Sequence, residues 1–149
     1  MKIQSLEDLN KIRQEYEKQL YAPAGVKVNI GMASCGIAAG AQAAMEKAVD
    51  AYKDKPEVEI RQTGCIGFCE QEPLVEMMAP GKPRIMYQNI TEDKIVDAIE
   101  GYMAGEYNKK WILGQMKDPR SLMDDDIKNP QDAVTPAEGI PFMEELVLQ

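Results

Sequence analysis

The sequence predicts an α/β fold, in which short strands and helices follow one another along the chain. Two observations support this class. Segments whose apolar residues recur at helical spacing are interleaved with short β-branched segments in which apolar and polar residues alternate. In addition, 44% of the 149 residues are hydrophobic, which is enough for one domain with its own core. We predict the element order α-β-α-β-β-β-α.

The first predicted element is a separate N-terminal helix within residues 1–21. Its apolar residues lie at helical spacing: Leu6, Leu9, Ile12, Tyr16 and Leu20. Ser5 is a helix-capping residue and Asp8 follows it by three positions, which is typical of a capping box. The helix is expected over residues 5–20, and the sequence APAG at 22–25 ends it.

The next three elements form a strand–helix–strand unit. The segments VKVNI (26–30) and EVEIRQT (57–63) are alternating and β-branched, and each is predicted to be a strand. Between them, a segment that begins with glycine and small residues is predicted to become helical from about Ile37 to Tyr52.

The last predicted elements are a hairpin and a helix. LVEMMAP (74–80) and RIMYQN (84–89) are predicted to pair around the turn sequence PGKP. The following helix is expected to begin at Thr91, as its cap, and to end at Gly105. A β-α-β unit followed by β-β-α is a thioredoxin-like arrangement, and the predicted domain covers residues 22–106.

From residue 107 to residue 149 the sequence changes character. It contains four prolines and an acidic cluster at Asp124–Asp126, and it is too polar to form a core alone. It nevertheless contains large apolar side chains: Trp111, Ile112, Leu113, Leu122, Met123, Ile140, Phe142, Met143, Leu146 and Val147. Such residues suggest anchors that bind grooves on another protein. We therefore predict an extended tail that docks on a partner, with a disordered tail and a tail folded back on its own domain as alternatives.

Composition excludes several classes of function. The net charge of −8 and the sequence pI of about 4.6 argue against nucleic acid as a partner. The sequence contains no run of 18 apolar residues that predicts a membrane span, and its N-terminus lacks the apolar region of a secretory signal. We therefore expect a cytoplasmic protein with reduced thiols. The absence of histidine excludes a Ser-His-Asp triad, a Cys-His pair and a Cys/His zinc site within the chain.

Three cysteines are the candidate metal-binding residues. Cys35 lies in GMASCGIAAGA, between a predicted strand and a predicted helix whose N-terminus favours the thiolate. Cys65 and Cys69, in TGCIGFCEQEP, have C-x-x-x-C spacing, and Gly64 and Gly67 allow both sulfurs to turn inward. Thiolates from two neighbouring loops are typical of iron–sulfur sites. The alternatives are buried structural cysteines and a thiol–disulfide oxidoreductase, against which the absence of C-x-x-C argues.

Three segments carry a resemblance to a known family. GMASCGIAAGA, TGCIGFCEQEPLVEM, which places 29 residues between Cys35 and Cys65, and YQNITEDKIVDAIEGYMAGE together resemble the thioredoxin-like [2Fe-2S] ferredoxin family. The resemblance covers about residues 1–106. Members occur as stand-alone ferredoxins, as a small subunit of complex I-like enzymes, and as the N-terminal domain of the flavoprotein subunit of NAD(P)-linked, often electron-bifurcating, [FeFe]-hydrogenases. The opening MKIQSLEDLNKIRQEY is similar to the separate B-type small subunit of NADP-reducing hydrogenases.

The resemblance implies a small electron-transfer or accessory subunit of a multisubunit NAD(P)-linked oxidoreductase, of hydrogenase or transhydrogenase type, that contains flavin and iron–sulfur centres. It implies a [2Fe-2S] cluster held or abutted by Cys35, Cys65 and Cys69, and flavoprotein and iron–sulfur subunits as partners. The sequence contains no P-loop or dinucleotide-binding pattern, so the subunit is expected to be non-catalytic and any flavin or NAD(P) site to lie on a partner. GIPFMEELVLQ is similar to the segment that joins the ferredoxin-like and flavin domains of flavoprotein subunits.

The chain departs from the family at the fourth ligand. The family's cluster has four cysteines, and the missing one is expected near Ile30, where the sequence contains none. An oxygen from Ser34, Asn29 or a nearby carboxylate, a water, or a cysteine of another subunit could complete the site. Alternatively, the cluster is lost and the chain is a cofactor-free structural assembly subunit. Glu70 and Glu72 follow the second cysteine loop, and we interpret them as solvated surface residues.

Overall fold

The computed structural model describes residues 2–21, 24–116 and 135–147. The helices are α1 (Leu6–Tyr21), α2 (Ser34–Ala38), α3 (Ala41–Tyr52), α4 (Ile95–Ala104) and α5 (Met143–Val147). The strands are β1 (Val26–Gly31), β2 (Val58–Thr63), β3 (Val75–Met78), β4 (Ile85–Tyr87) and β5 (Ile112–Gln115), with single 3-10 turns at Cys69–Gln71 and Lys109–Trp111. Among these helices there is none whose length and apolar content would allow it to cross a membrane.

The five strands form one mixed sheet in the order β2-β1-β3-β4-β5. β1 and β2 are parallel, and the connection between them contains α2 and α3. β3 lies antiparallel to β1, and β4 lies antiparallel to β3, so the predicted hairpin is confirmed. The register is defined at Val28, which lies opposite Ile60 on one side and Met77 on the other. The thioredoxin-like order of elements predicted from the sequence is therefore present.

The main core lies between one face of the sheet and the helices α3 and α4. Val28, Ile30 and Met77 have no accessible surface on this face. The helices present their buried residues to it: Ala41, Ala44, Ala48 and Tyr52 from α3, and Ile95, Ala98, Ile99 and Tyr102 from α4. Full burial of one isoleucine or methionine side chain stabilises a fold by about 1.5–3 kcal/mol. β1 is thus part of this core, and the first cysteine loop follows directly from it.

Helix α1 begins as predicted. The Asp8 amide donates to Ser5 Oγ, and the Ser5 amide donates to Asp8 Oδ2, both at 3.1 Å, which completes the capping box. The apolar side chains of α1 are nevertheless exposed at Leu6 and Leu9, which retain 76% and 52% of their accessible surface. The helix therefore contributes little to the core in these described positions.

The helix predicted from about Ile37 to Tyr52 is interrupted in the structure. Gly40 has a φ of 104°, a left-handed conformation that glycine adopts without strain, and it separates α2 from α3. The third predicted helix, α4, begins at Ile95 and not at Thr91. The Thr91 hydroxyl donates to Asp93 at 2.5 Å in place of capping the helix. Gly105, with a φ of 79°, ends α4 as predicted.

The sheet continues beyond residue 106, where the sequence analysis ended the domain. β5 pairs antiparallel with β4, and Met86 lies opposite Gly114. A Cβ at Gly114 would lie 2.9 Å from Met143 Sδ, so the absence of a side chain leaves room for α5. The strand was missed because ILGQ is short, contains a glycine and shows no alternating pattern.

Residues 135–147 fold back on the same domain, which is one of the alternatives left open by the sequence. Ile140 and Met143 are buried, and the Gln115 side chain donates to the carbonyl oxygens of Ala137 and Ile140 at 3.1 and 2.7 Å. A second, smaller apolar cluster forms here on the other face of the sheet. The acidic cluster Asp124–Asp126 lies outside the described residues, and partner docking by the segment around it stays a prediction.

Candidate metal centre

The structure brings the three sequence-predicted cysteines together. Cys35 follows β1, and Cys65 and Cys69 follow β2. Because β1 and β2 are parallel neighbours, their carboxyl ends lie at the same edge of the sheet. The three Sγ atoms all lie within 4.8 Å of one another, and Cys65 Sγ and Cys69 Sγ are 3.5 Å apart. All three residues are free thiols.

The second loop presents Cys65 and Cys69 to solvent. Gly67, between them, has a φ of 94°, and its amide donates to Cys65 Sγ at 3.3 Å. This amide, followed by hydrogen bonds with the Cys69 and Cys35 thiols, lowers the pKa of Cys65 below its ordinary value. Nothing lies within 4 Å of a Cβ built at Gly67, so the glycine is needed for its conformation and not for space.

The first loop holds Cys35 in the first turn of α2, where its side chain is half-buried. Hydrogen bonds with the Cys65 and Cys69 thiols, followed by partial desolvation, raise the pKa of Cys35 to about 11. The sequence predicts that the helix N-terminus favours the Cys35 thiolate. The shift in the pKa of Cys35 has the opposite direction, and the neighbouring thiols are its largest cause.

Glu72 is a residue of this site whose contact with the cysteines was not predicted from the sequence. It is 6% exposed, and its carboxylate lies beside the first loop. Glu72 Oε1 accepts from the Cys35 thiol at 3.7 Å, and Glu72 Oε2 accepts from the Leu74 amide at 2.7 Å. Our interpretation of Glu72 as a solvated surface residue is wrong. Only its position between the cysteine loop and the apolar run of β3 hinted at burial. Glu70, by contrast, is exposed as expected.

The candidates for a fourth ligand that the sequence suggested differ in burial and in hydrogen-bond partners. Ile30 has no accessible surface and packs in the core. Asn29 donates its side-chain amide to Glu76 Oε2 at 2.7 Å, so it is engaged elsewhere. Ser34 is exposed at the start of α2. Among the carboxylates of the described ranges, Glu72 is the one found in hydrogen-bond contact with a cysteine.

The donor set fits an iron–sulfur site. Two thiolates on one tetrahedral metal with metal–sulfur bonds of about 2.3 Å are separated by roughly 3.8 Å, and the Cys65–Cys69 distance of 3.5 Å is close to this value. Thiolates are the preferred protein ligands of iron–sulfur clusters. The three-cysteine group is therefore compatible with a [2Fe-2S] cluster.

Two solved structures share this fold. A thioredoxin-like [2Fe-2S] ferredoxin from Aquifex aeolicus superposes with a TM-score of 0.55 at 16% identity, over 64% of this chain and 96% of that one. A second structure, of the wild-type ferredoxin from the same organism, superposes with a TM-score of 0.53 at 13% identity, over 61% and 98% of the two chains. These likenesses show that the chain has the thioredoxin-like [2Fe-2S] ferredoxin fold.

A curated relative shows the family. The chain is 36% identical over 108 residues to the NADP-reducing hydrogenase subunit HndB of Solidesulfovibrio fructosivorans, an alignment that covers 70% of this chain and 86% of the relative. No family model matches the sequence. With this identity over most of the relative's length, and with the fold and both cysteine loops in place, the chain belongs to the family of the NADP-reducing hydrogenase subunit HndB.

Proposed function

We propose that this chain is an electron-transfer subunit of a hydrogenase complex and that Cys35, Cys65 and Cys69 hold a [2Fe-2S] cluster. The observation that carries the proposal is the convergence of the three Sγ atoms within 4.8 Å, at one edge of a ferredoxin-type sheet. The relative HndB, named as a subunit of an NADP-reducing hydrogenase, supports a complex of that class as the setting.

The residues around the sulfurs could tune the reduction potential of a bound cluster. When bound, a [2Fe-2S] cluster accepts and donates single electrons. The Gly67 amide donates to Cys65 Sγ, and a hydrogen bond to a ligating sulfur stabilises the more negative, reduced state. Cys35 is half-buried, whereas Cys65 and Cys69 are exposed. The second loop is therefore the side from which electrons would reach a partner.

Two exposed apolar side chains flank the cysteines and would meet that partner. Ile66 follows Cys65 and is 47% exposed, and Ile37 lies two residues after Cys35 and is 45% exposed. Exposed isoleucines beside a redox site are typical of the contact surface of a transfer complex, because they exclude water from the path. We place the flavin and NADP sites of the complex on partner subunits.

One observation favours the cofactor-free assembly subunit as a second candidate. The chain has three cysteines where a [2Fe-2S] ferredoxin uses four. In this alternative, the ferredoxin fold survives as an interaction module, and the complex assembles and turns over without iron in this subunit.

Metal analysis of the anaerobically purified chain separates the two candidates. We expect about two irons and about two acid-labile sulfides per chain, and an electron paramagnetic resonance signal after reduction. The same measurements are made after reconstitution with ferrous iron and sulfide, so that loss during purification is not mistaken for absence. A colourless protein that stays free of iron after reconstitution, both alone and with its partner subunits, rules out the electron-transfer role and leaves the assembly role.

A further inference from the structure

We propose that Glu72 supplies the fourth ligand of the cluster, with its Oε1 atom bound to the iron that Cys35 holds. This inference rests on the proposed function, since it requires that a cluster is bound. It concerns one question that the three cysteines leave open, namely which atom takes the coordination position that a fourth cysteine occupies in the family.

The separation between the two donor atoms is the first support. Cys35 Sγ and Glu72 Oε1 are 3.7 Å apart. A sulfur at about 2.3 Å and an oxygen at about 2.1 Å from one tetrahedral metal are separated by roughly 3.6 Å. The two atoms already have the spacing of ligands that share a metal, just as Cys65 and Cys69 do on the other loop.

The burial of the Glu72 carboxylate is the second support. Glu72 is 6% exposed, and glutamate is almost never buried unless its charge is paired. Among the described side chains, at residues 2–16, 24–116 and 135–146, no lysine or arginine nitrogen lies within 4.0 Å of this carboxylate. The buried glutamate Glu76, by contrast, forms an ion pair with Arg84. A bound iron cation would supply a counter-charge that none of these described side chains gives to Glu72.

The way the carboxylate is held is the third support. The Leu74 amide donates to Oε2, which orients the group and directs Oε1 at the Cys35 thiol. Gly31 and Gly36 also lie beside the carboxylate. A Cβ at Gly31 would lie 3.1 Å from Oε2, and a Cβ at Gly36 would lie 3.2 Å from it. Small residues in the first cysteine loop therefore leave the space that the carboxylate fills, and a backbone donor positions it as a ligand.

The test compares two neighbouring glutamates, Glu70 and Glu72, in the isolated subunit. Glu72→Gln keeps the size of the side chain and an acceptor for the Leu74 amide but removes the anionic ligand. Glu70→Gln is the matched control, because Glu70 is exposed and lies in the 3-10 turn that Glu72 follows. Both variants and the parent are reconstituted anaerobically, and iron and sulfide per chain are measured. We expect at least a twofold loss of iron in Glu72→Gln and no change in Glu70→Gln.

A Mössbauer spectrum of the oxidised parent protein gives a readout that does not depend on how the variant folds. One iron bound by two cysteines and one bound by cysteine and carboxylate are expected to give two distinct ferric signals. Two equivalent all-sulfur irons would overturn the assignment, because they leave no coordination position for an oxygen ligand. An unchanged spectrum and iron content in a folded Glu72→Gln would overturn it in favour of a water. An iron-free parent protein instead defeats the proposed function itself, so the two failures are distinguishable.

Discussion

The two cysteine loops lie at the same edge of the sheet but are built in opposite ways. The first loop is packed: a Cβ at Gly36 would lie 2.3 Å from the Gly31 carbonyl oxygen. The second loop is open: a Cβ at Gly64 or Gly67 would meet nothing within 4 Å. The packed loop contains one cysteine and lies against a buried carboxylate, whereas the open loop contains two exposed thiols. Close packing therefore accompanies the single thiol, and exposure accompanies the pair.

Replacing a cysteine of the open loop should have the largest effect. Cys65→Ser removes a thiolate from the pair that lies 3.5 Å apart, and we expect iron per chain to fall at least tenfold after reconstitution. The control is Ser34→Ala, which changes an exposed hydroxyl next to Cys35 and should leave iron unchanged. Loss of iron in Ser34→Ala would instead identify the serine as a ligand of the packed loop.

The contrast in packing predicts the next largest effect, on stability. In Gly36→Ala the new methyl group meets the Gly31 carbonyl oxygen, so the backbone must shift, and overpacking of this kind destabilises by about 1–3 kcal/mol. A methyl group at residue 64 meets no neighbouring atom, and Gly64 has no positive φ. We therefore expect Gly64→Ala to raise the free energy of unfolding by about 0.5–1 kcal/mol. Urea unfolding of the two variants measures the difference, and equal midpoints would contradict the proposed contrast between the loops.

Much of the fold and of the cysteine site could be predicted from the sequence. The helical and strand periods identified the elements through α4, apart from the break between α2 and α3, and the two cysteine loops that follow strands predicted a shared thiolate site. Each of these predictions depends on a local pattern, that is, on the types and spacing of residues close together in the sequence.

The remaining features depend on long-range contacts. β5 is a strand because its backbone pairs with the free edge of β4, and not because apolar and polar residues alternate in ILGQ. Glu72 is buried because Gly31 and Gly36, far away in the sequence, leave space for it. A glutamate followed by proline carries no local sign of such a neighbour, so sequence reasoning assigned it to the surface.

A change at the exposed isoleucines tests which loop faces the partner. Ile66→Asp places a charge beside Cys65, and we expect the dissociation constant for the partner complex to rise about tenfold, since burial of an unpaired charge opposes association. Val49→Asp is the control, because Val49 is similarly exposed, at 46%, but lies on α3. The dissociation constants of the two variants are measured by titration with the purified partner subunits, and we expect a rise for Ile66→Asp alone. Equal weakening by both variants would argue against an interface at the open loop.

The smallest expected effect concerns the conformation of the open loop. Gly67 has a φ of 94°, and forcing alanine into a left-handed conformation destabilises by about 1–2 kcal/mol, although the space around it is free. Because the loop is exposed, part of this strain can relax by local rearrangement, and we expect the free energy of unfolding in urea to fall by about 1 kcal/mol or less.

The rearrangement should weaken the hydrogen bond from the residue 67 amide to Cys65 Sγ. A lower reduction potential with little loss of stability is thus the expected signature of Gly67→Ala, whereas Gly36→Ala should lose stability first. A variant at Gly67 that unfolds as readily as the one at Gly36 would show that the open loop is as constrained as the packed one.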